Sequence, residues 1–110
     1  MKISRLIGNL AEDRAVEYLK KNGFFIVERN FFSRFGEIDI VAKRKDILHF
    51  MEVKYSKSFD PLERITKQKL QKIIKTVDYY MLKNNFDENF QIDALIVTES
   101  DIELLENISY

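Results

Sequence analysis

No cysteine occurs among the 110 residues, which excludes disulfides and thiolate metal sites and fits a reducing compartment. Only three glycines and one proline are present, so long irregular loops are not expected. The N-terminus reads Met1-Lys2-Ile3-Ser4-Arg5, and no apolar stretch reaches the length of a signal peptide core or a membrane span. The expectation is a cytoplasmic protein with no membrane partner. No repeat, low-complexity tract or Gly/Ser linker divides the chain, so a single domain over residues 1–110 is expected. Basic residues are missing from one end. After Lys83 there is no Lys or Arg, while Asp87, Glu88, Asp93, Glu99, Asp101, Glu103 and Glu106 follow. Residues 1–86 hold all 18 basic residues and 11 of the 18 acids, so a formal net charge of zero conceals a surplus of seven positive charges there. Such a split suits a polyanionic partner, and equally a helix-rich surface with an acidic tail.

The residues that are present, 45% hydrophobic and 33% charged, are those of a globular chain. From Ser4 to Lys21, Ile7, Leu10, Ala11, Ala15, Tyr18 and Leu19 recur at helical spacing, with Ser4 as N-cap and Asn22-Gly23 as the stop. Phe24 to Phe32 is rich in β-formers and predicts a strand running into a loop. Gly36 to Ala42 predicts a second strand, with Ile38, Ile40 and Ala42 on one face and Glu37, Asp39 and Val41 on the other. Lys43 to Asp46 reads as a tight hairpin. Ile47 to Tyr55 predicts a third strand, apolar on both faces over most of its length and therefore central in the sheet. Asp60-Pro61-Leu62-Glu63 predicts a helix start, with the helix reaching about Lys83 and burying Leu62, Ile65, Leu70, Ile73, Ile74, Val77 and Tyr80 or Met81. Phe90 to Thr98 is a fourth strand and Ile102 to Ile108 a fifth, at an edge. The order α-β-β-β-α-β-β predicts an α/β fold, a mixed sheet of about five strands flanked by helices.

Chemistry concentrates in Gly36-Glu37-Ile38-Asp39, followed beyond the hairpin by Glu52-Val53-Lys54. With Arg44-Lys45 as a two-residue turn, Asp39 lies opposite Phe50 and diagonal to Glu52, sharing a face with Glu52 and Lys54. A one-residue slip in register would put Asp39 on the other face. Two carboxylates and a lysine on an otherwise apolar face need mutual pairing or a metal ion. Two hard oxygen ligands suit Mg²⁺, which keeps several waters and binds through carboxylates and substrate phosphate. A lysine two residues beyond the ligand can position or deprotonate the attacking water. An isolated Glu-x-Lys is more often an ion pair on a solvated strand face, and spacing alone leaves both readings open.

The arrangement is similar to that of the PD-(D/E)xK nuclease superfamily. More narrowly, the chain resembles the YraN family of small bacterial proteins, which implies a restriction-endonuclease-like fold close to archaeal Holliday-junction resolvases. The matching residues are Gly8-x-x-Ala11-Glu12-Asp13-x-Ala15-x-x-Tyr18-Leu19, Gly23-Phe24, Glu28-Arg29-Asn30, Gly36 to Ala42, His49 to Lys54, Lys67-Gln68-Lys69-Leu70 and Ile92-Asp93. They span essentially the whole chain. The resemblance implies Asp39 and Glu52 as ligands of Mg²⁺ or Mn²⁺, the Val53 carbonyl as a third, Lys54 as the catalytic lysine and Glu12 as an additional acid. It also implies a polar residue near the site at Gln68, beside Lys67, and a homodimer, which suits symmetric cutting of two strands. The chain departs from the family pattern at Ala11, where glycine is usual, and at Ser56 and Gln91, where arginine is usual.

Three further features stand out. His49, the only histidine, lies on the strand face opposite Glu52 and is expected to pack structurally rather than catalyse. Arg64, Lys67, Lys69, Lys72 and Lys75 make a basic helix face, read either as a solvated surface or as one that tracks phosphates. Phe31, Phe32 and Phe35 around Ser33-Arg34 form an aromatic-basic loop, suited to core anchoring, a dimer contact or stacking on unpaired bases. The function expected is therefore metal-dependent hydrolysis of DNA phosphodiesters, branched or structured DNA included, with Lys67, Gln68, Lys69 and Arg34 touching nucleic acid. The alternatives are RNA cleavage, and a nucleic-acid- or protein-binding module with a nuclease-like fold and little or no activity.

Overall fold

The computed structural model describes residues 3–57, 65–85 and 89–108. The element order is α1 (Ile3–Lys21), β1 (Phe25–Ser33), β2 (Gly36–Arg44), β3 (Ile47–Tyr55), α2 (Lys67–Lys83), β4 (Phe90–Val97) and β5 (Ile102–Leu105). The five strands form one sheet in the order β1-β2-β3-β4-β5, with β3 in the middle as its two-sided apolarity requires. All neighbours are antiparallel except β3 and β4, which run parallel and are joined through α2. The expected mixed α/β sheet is the one observed.

The two helices cover opposite faces. On one, Ala11, Ala15, Val16 and Leu19 of α1 pack on Phe24, Ile40, Ala42, Met51, Leu95 and Val97. On the other, Ile73, Val77 and Tyr80 of α2 pack on Phe31, Ile38, Val41, Leu48, Phe50 and Ile92. Each fully buried aliphatic or aromatic side chain here contributes about 1.5–3 kcal/mol, so both helices are held by packing more than by propensity. The first turns of α1 differ from expectation. Ile7 and Leu10 are exposed, and it is Val16 that joins the core, because only the C-terminal half of the helix lies over the sheet. The helix already runs from Ile3, which places Ser4 inside it. Its end is as expected: Gly23 takes φ 85°, Phe24 N–H donates to the Leu19 carbonyl and Gly23 N–H to that of Lys20. This is the Schellman arrangement that satisfies the last carbonyls of a helix.

The expected helix start at Asp60-Pro61-Leu62-Glu63 lies outside the described residues, but α2 does not reach back to it. Thr66, in extended conformation, caps α2 by accepting from the Lys69 N–H, and Tyr80 rather than Met81 is its buried aromatic or thioether.

The β2–β3 hairpin turns one position later than expected. Its central residues are Lys45 and Asp46, both left-handed with φ 51° and 63°, the type I′ geometry that matches strand twist. Arg44 stays in the strand because its side chain is engaged. Its guanidinium stacks 4.0 Å over Phe24 and donates to the Asn22 carbonyl. Phe50 consequently pairs with Val41, not Asp39, and Met51 with Ile40. Moving a two-residue turn by one position shifts every partner by two, so the faces are preserved.

Candidate functional site

The last β2–β3 pair is Ile40 with Met51. Beyond it the two strands part. β2 continues with β1 down to Gly36 opposite Ser33, while β3 continues with β4 up to Tyr55 opposite Val97. Asp39 stands on one prong of this fork, and Glu52, Val53 and Lys54 on the other. The Val53 N–H, past the end of the ladder, donates instead to Asp39 Oδ2 at 2.8 Å. The side chain thereby bridges the two strands where their backbones separate. Opposite Asp39 on β1, Asn30 is left-handed at φ 56°. Around it the strands switch faces, with Arg29 and Ile40 towards α1 and the next pair, Phe31 and Ile38, towards α2. Ile38 therefore does not share the α1 face with Ile40 and Ala42 as strict alternation predicts, and Asp39 sits at the switch.

Asp39 and Glu52 are both buried, 8% and 7% exposed. Burial pushes the Asp39 carboxyl up to about 6, and the Glu52 charge pushes in the same direction. Glu37, two residues before Asp39, is pushed up to about 7 by its own burial and by a side-chain hydrogen bond to Asp39. Both carboxyls are thus raised by crowding and burial, a pattern typical of neighbouring carboxylates. Lys69 on α2 meets the cluster from above, its Nζ 2.7 Å from Glu52 Oε1. The ammonium lies at the edge of a cleft of about 390 Å³ lined by Gly36, Glu37, Glu52, Gln68, Lys69 and Lys72 among others.

The other expected residues fall into place unevenly. Glu12 is buried on α1, and its charge contributes to the raised Asp39 carboxyl. Its partners are Arg29 Nε at 2.9 Å and Asn30 Nδ2 at 3.0 Å. Lys54 is half-buried on β3, on the Glu52 face by strand alternation. Gln68 and Lys69 line the cleft, whereas Lys67 is exposed outside its lining. Arg34 is exposed in the β1–β2 turn with its guanidinium 4.9 Å over Phe35. Phe31 is core, packed edge-on against Tyr80, and Phe32 is 69% exposed. From the sequence Glu37 is only a neighbour in the Asp39 motif and Lys72 only one residue of the basic helix face; neither is assigned to the site itself. Their signal was spacing: Glu37 is two residues from Asp39 on a strand, and Lys72 three from Lys69 on a helix.

A second polar cluster lies at the other end of β3. His49 is buried, and its Nδ1 is 2.6 Å from Asp93 Oδ2. Asp93 Oδ1 accepts from Gln91 Nε2 and from the Asn107 N–H. Glu106 closes the group, paired with Arg44 at 3.4 Å. Ligand atoms of His49, Asp93 and Glu106 lie within 4.8 Å of one another, a spacing open to a metal ion. Three hydrogen bonds already satisfy the Asp93 carboxylate and the Arg44 guanidinium already neutralises Glu106, so the cluster is complete as a clamp. It fastens the segment after β5 to the sheet, aided by the Ile108 N–H donating to the Ile92 carbonyl. His49 is buried on the strand face opposite Glu52, as its position in the strand predicted. Among the described residues no helix is long and apolar enough to cross a membrane.

Residues 11–97 match the model of a family described as the uncharacterised protein family UPF0102. This span includes every acid of the fork, Lys54 and the whole of α2. Among similar proteins, a UPF0102 protein of Campylobacter lari is 54% identical over 106 residues, covering 96% of this chain and 95% of its own. One from Helicobacter pylori is 53% identical over 106 residues, with 96% and 93% covered, and one from Campylobacter jejuni is 49% identical over the same length, with 96% and 95% covered. With the matched span and these relatives covering nearly the full length, the chain belongs to the bacterial family UPF0102.

Proposed function

We propose that this chain is a divalent-metal-dependent endonuclease of the PD-(D/E)xK type, hydrolysing DNA phosphodiesters and suited to branched or structured DNA. The observation that carries the reading is the fork. Asp39, bonded to the Val53 N–H at 2.8 Å, is held beside Glu52 in a buried setting that raises its carboxyl to about 6. Packing two acids this way is unfavourable for the folded chain alone and favourable for a cation. The donors are hard oxygens, which suits Mg²⁺ or Mn²⁺ over softer metals. Asp39 and Glu52 would hold the ion, with the Val53 carbonyl as third ligand by resemblance to the nuclease superfamily. The ion would supply a Lewis acid and a water of lowered pKa.

The chain's own groups do the rest. Lys54, two residues beyond Glu52, orients the attacking water and offsets charge at phosphorus. Glu12 is kept in place by Arg29 and Asn30 on the α1 side of Asp39. Gln68 and Lys72 line the cleft through which a backbone phosphate reaches Glu52, and the exposed Lys67 and Lys75 extend the basic surface along α2. A homodimer would present two such forks, one to each strand of a junction.

The test is cleavage of labelled single-stranded, duplex, flap and four-way-junction DNA, and of RNA, with Mg²⁺, Mn²⁺ or EDTA. Metal-dependent cutting is expected from the native chain and not from Asp39→Ala or Lys54→Ala. Cutting that persists in both variants would mark a contaminating nuclease. No cutting at protein well above its binding constant would favour a binding module instead.

A further inference from the structure

Glu52 does not await a cation with its charge unmet. It is 7% exposed, and the cation it faces is the Lys69 ammonium at 2.7 Å, reached from the first turns of α2. Lys69 is otherwise well placed to leave. Its side chain is 58% exposed, and it lines the cleft with Gln68 and Lys72. An ammonium and a divalent ion drawn to the same carboxylate repel each other at close range, so each weakens the other's hold on it.

We propose that Lys69 is a displaceable counter-ion: it neutralises Glu52 in the metal-free protein, is expelled when a divalent cation takes that carboxylate, and is then handed to a phosphodiester oxygen in the cleft. The inference rests on reading Asp39 and Glu52 as the metal ligands, and adds an order of events to that site. Metal and substrate backbone then bind cooperatively through one side chain. Metal releases the lysine for the phosphate, and a phosphate that captures the lysine vacates the carboxylate for the metal. By linkage the coupling is equal in both directions.

Removing the ammonium should have opposite effects on the two ligands, and this separates the proposal from a lysine that is merely structural. Mn²⁺ binding is measured by electron paramagnetic resonance, and DNA binding by fluorescence anisotropy with Ca²⁺ in place of the active metal, so neither readout is cleavage. Lys69→Met is expected to tighten Mn²⁺ by about fivefold or more. The same variant weakens DNA binding and lowers the salt slope by about one, and the gain in DNA affinity on adding Ca²⁺ shrinks. Lys72→Met, the control on the same helix face, weakens DNA without tightening Mn²⁺. Circular dichroism melts verify that each variant is folded. If the native chain binds Mn²⁺ through Asp39 and Glu52 but Lys69→Met leaves that affinity unchanged or weaker, the counter-ion role is overturned and the metal site stands. If Mn²⁺ binding is absent from the native chain and Lys69→Met alike, the metal site itself is wrong and the proposal falls with it.

Discussion

An Asp39→Asn substitution should stabilise the metal-free protein while destroying its metal site. Asparagine keeps the shape and keeps an oxygen to accept the Val53 N–H that now donates to Asp39 Oδ2 at 2.8 Å, but it carries no charge beside Glu52. The folded carboxyl titrates at about 6, against about 3.9 for an unfolded aspartate. The sign follows directly. Between those two values the native state holds a proton that the unfolded chain has released, so stability falls as pH rises through this window, and the loss is complete above the folded value. Two units correspond to about 3 kcal/mol in full, and about 2 kcal/mol of it develops between pH 4.5 and pH 8. Urea denaturation of both proteins at these two pH values, in EDTA, reads the difference. The variant should be the more stable at pH 8 by about 2–3 kcal/mol, with the gap narrowing towards pH 4.5. Loss of the Asp39 charge also eases Glu37, whose raised carboxyl depends partly on it. A variant that is less stable than the parent at pH 8, or a gap that does not change with pH, would refute the claim that the fork stores carboxylate repulsion.

Two other outcomes follow from the same geometry. Metal affinity should rise with pH through the range of about 6 to 7, because both Asp39 and Glu37 are raised and the cation competes with protons there; Mn²⁺ titrations from pH 5.5 to 8 that show no such rise would contradict it. At the other cluster, Asp93→Ala should destabilise the fold by about 3 kcal/mol, since it removes the fully buried carboxylate that pairs with buried His49 and accepts from the Gln91 amide and the Asn107 N–H; a loss under about 1 kcal/mol in urea would mean the clamp is not what holds the C-terminal segment.

Much of this protein is determined by its sequence alone, because the forces involved are local and periodic. Alternation along Ile47–Tyr55 makes that strand two-sided and hence central, the spacing of Ala11, Ala15 and Leu19 makes α1 amphipathic, and Asn22-Gly23 ends it. The succession of elements then leaves a mixed sheet with one helix on each face as the economical packing. Asp39, Glu52 and Lys54 stand out in the sequence as a candidate group, and moving the turn by one residue shifts partners by two and so keeps the hairpin's parity as far as Ile40. Tertiary structure decided what local periodicity cannot carry. The hairpin turns at Lys45-Asp46, which leaves Arg44 in the strand with its guanidinium over Phe24, a contact between residues distant in sequence. Asp39 reaches the Val53 N–H only because β2 leaves β3 for β1 at that point. Which cation answers each acid, Lys69 for Glu52 and Arg29 for Glu12, depends on how α2 and β1 lie across the sheet. Charge pairing acts through space over a few ångströms, and only the folded chain sets those distances.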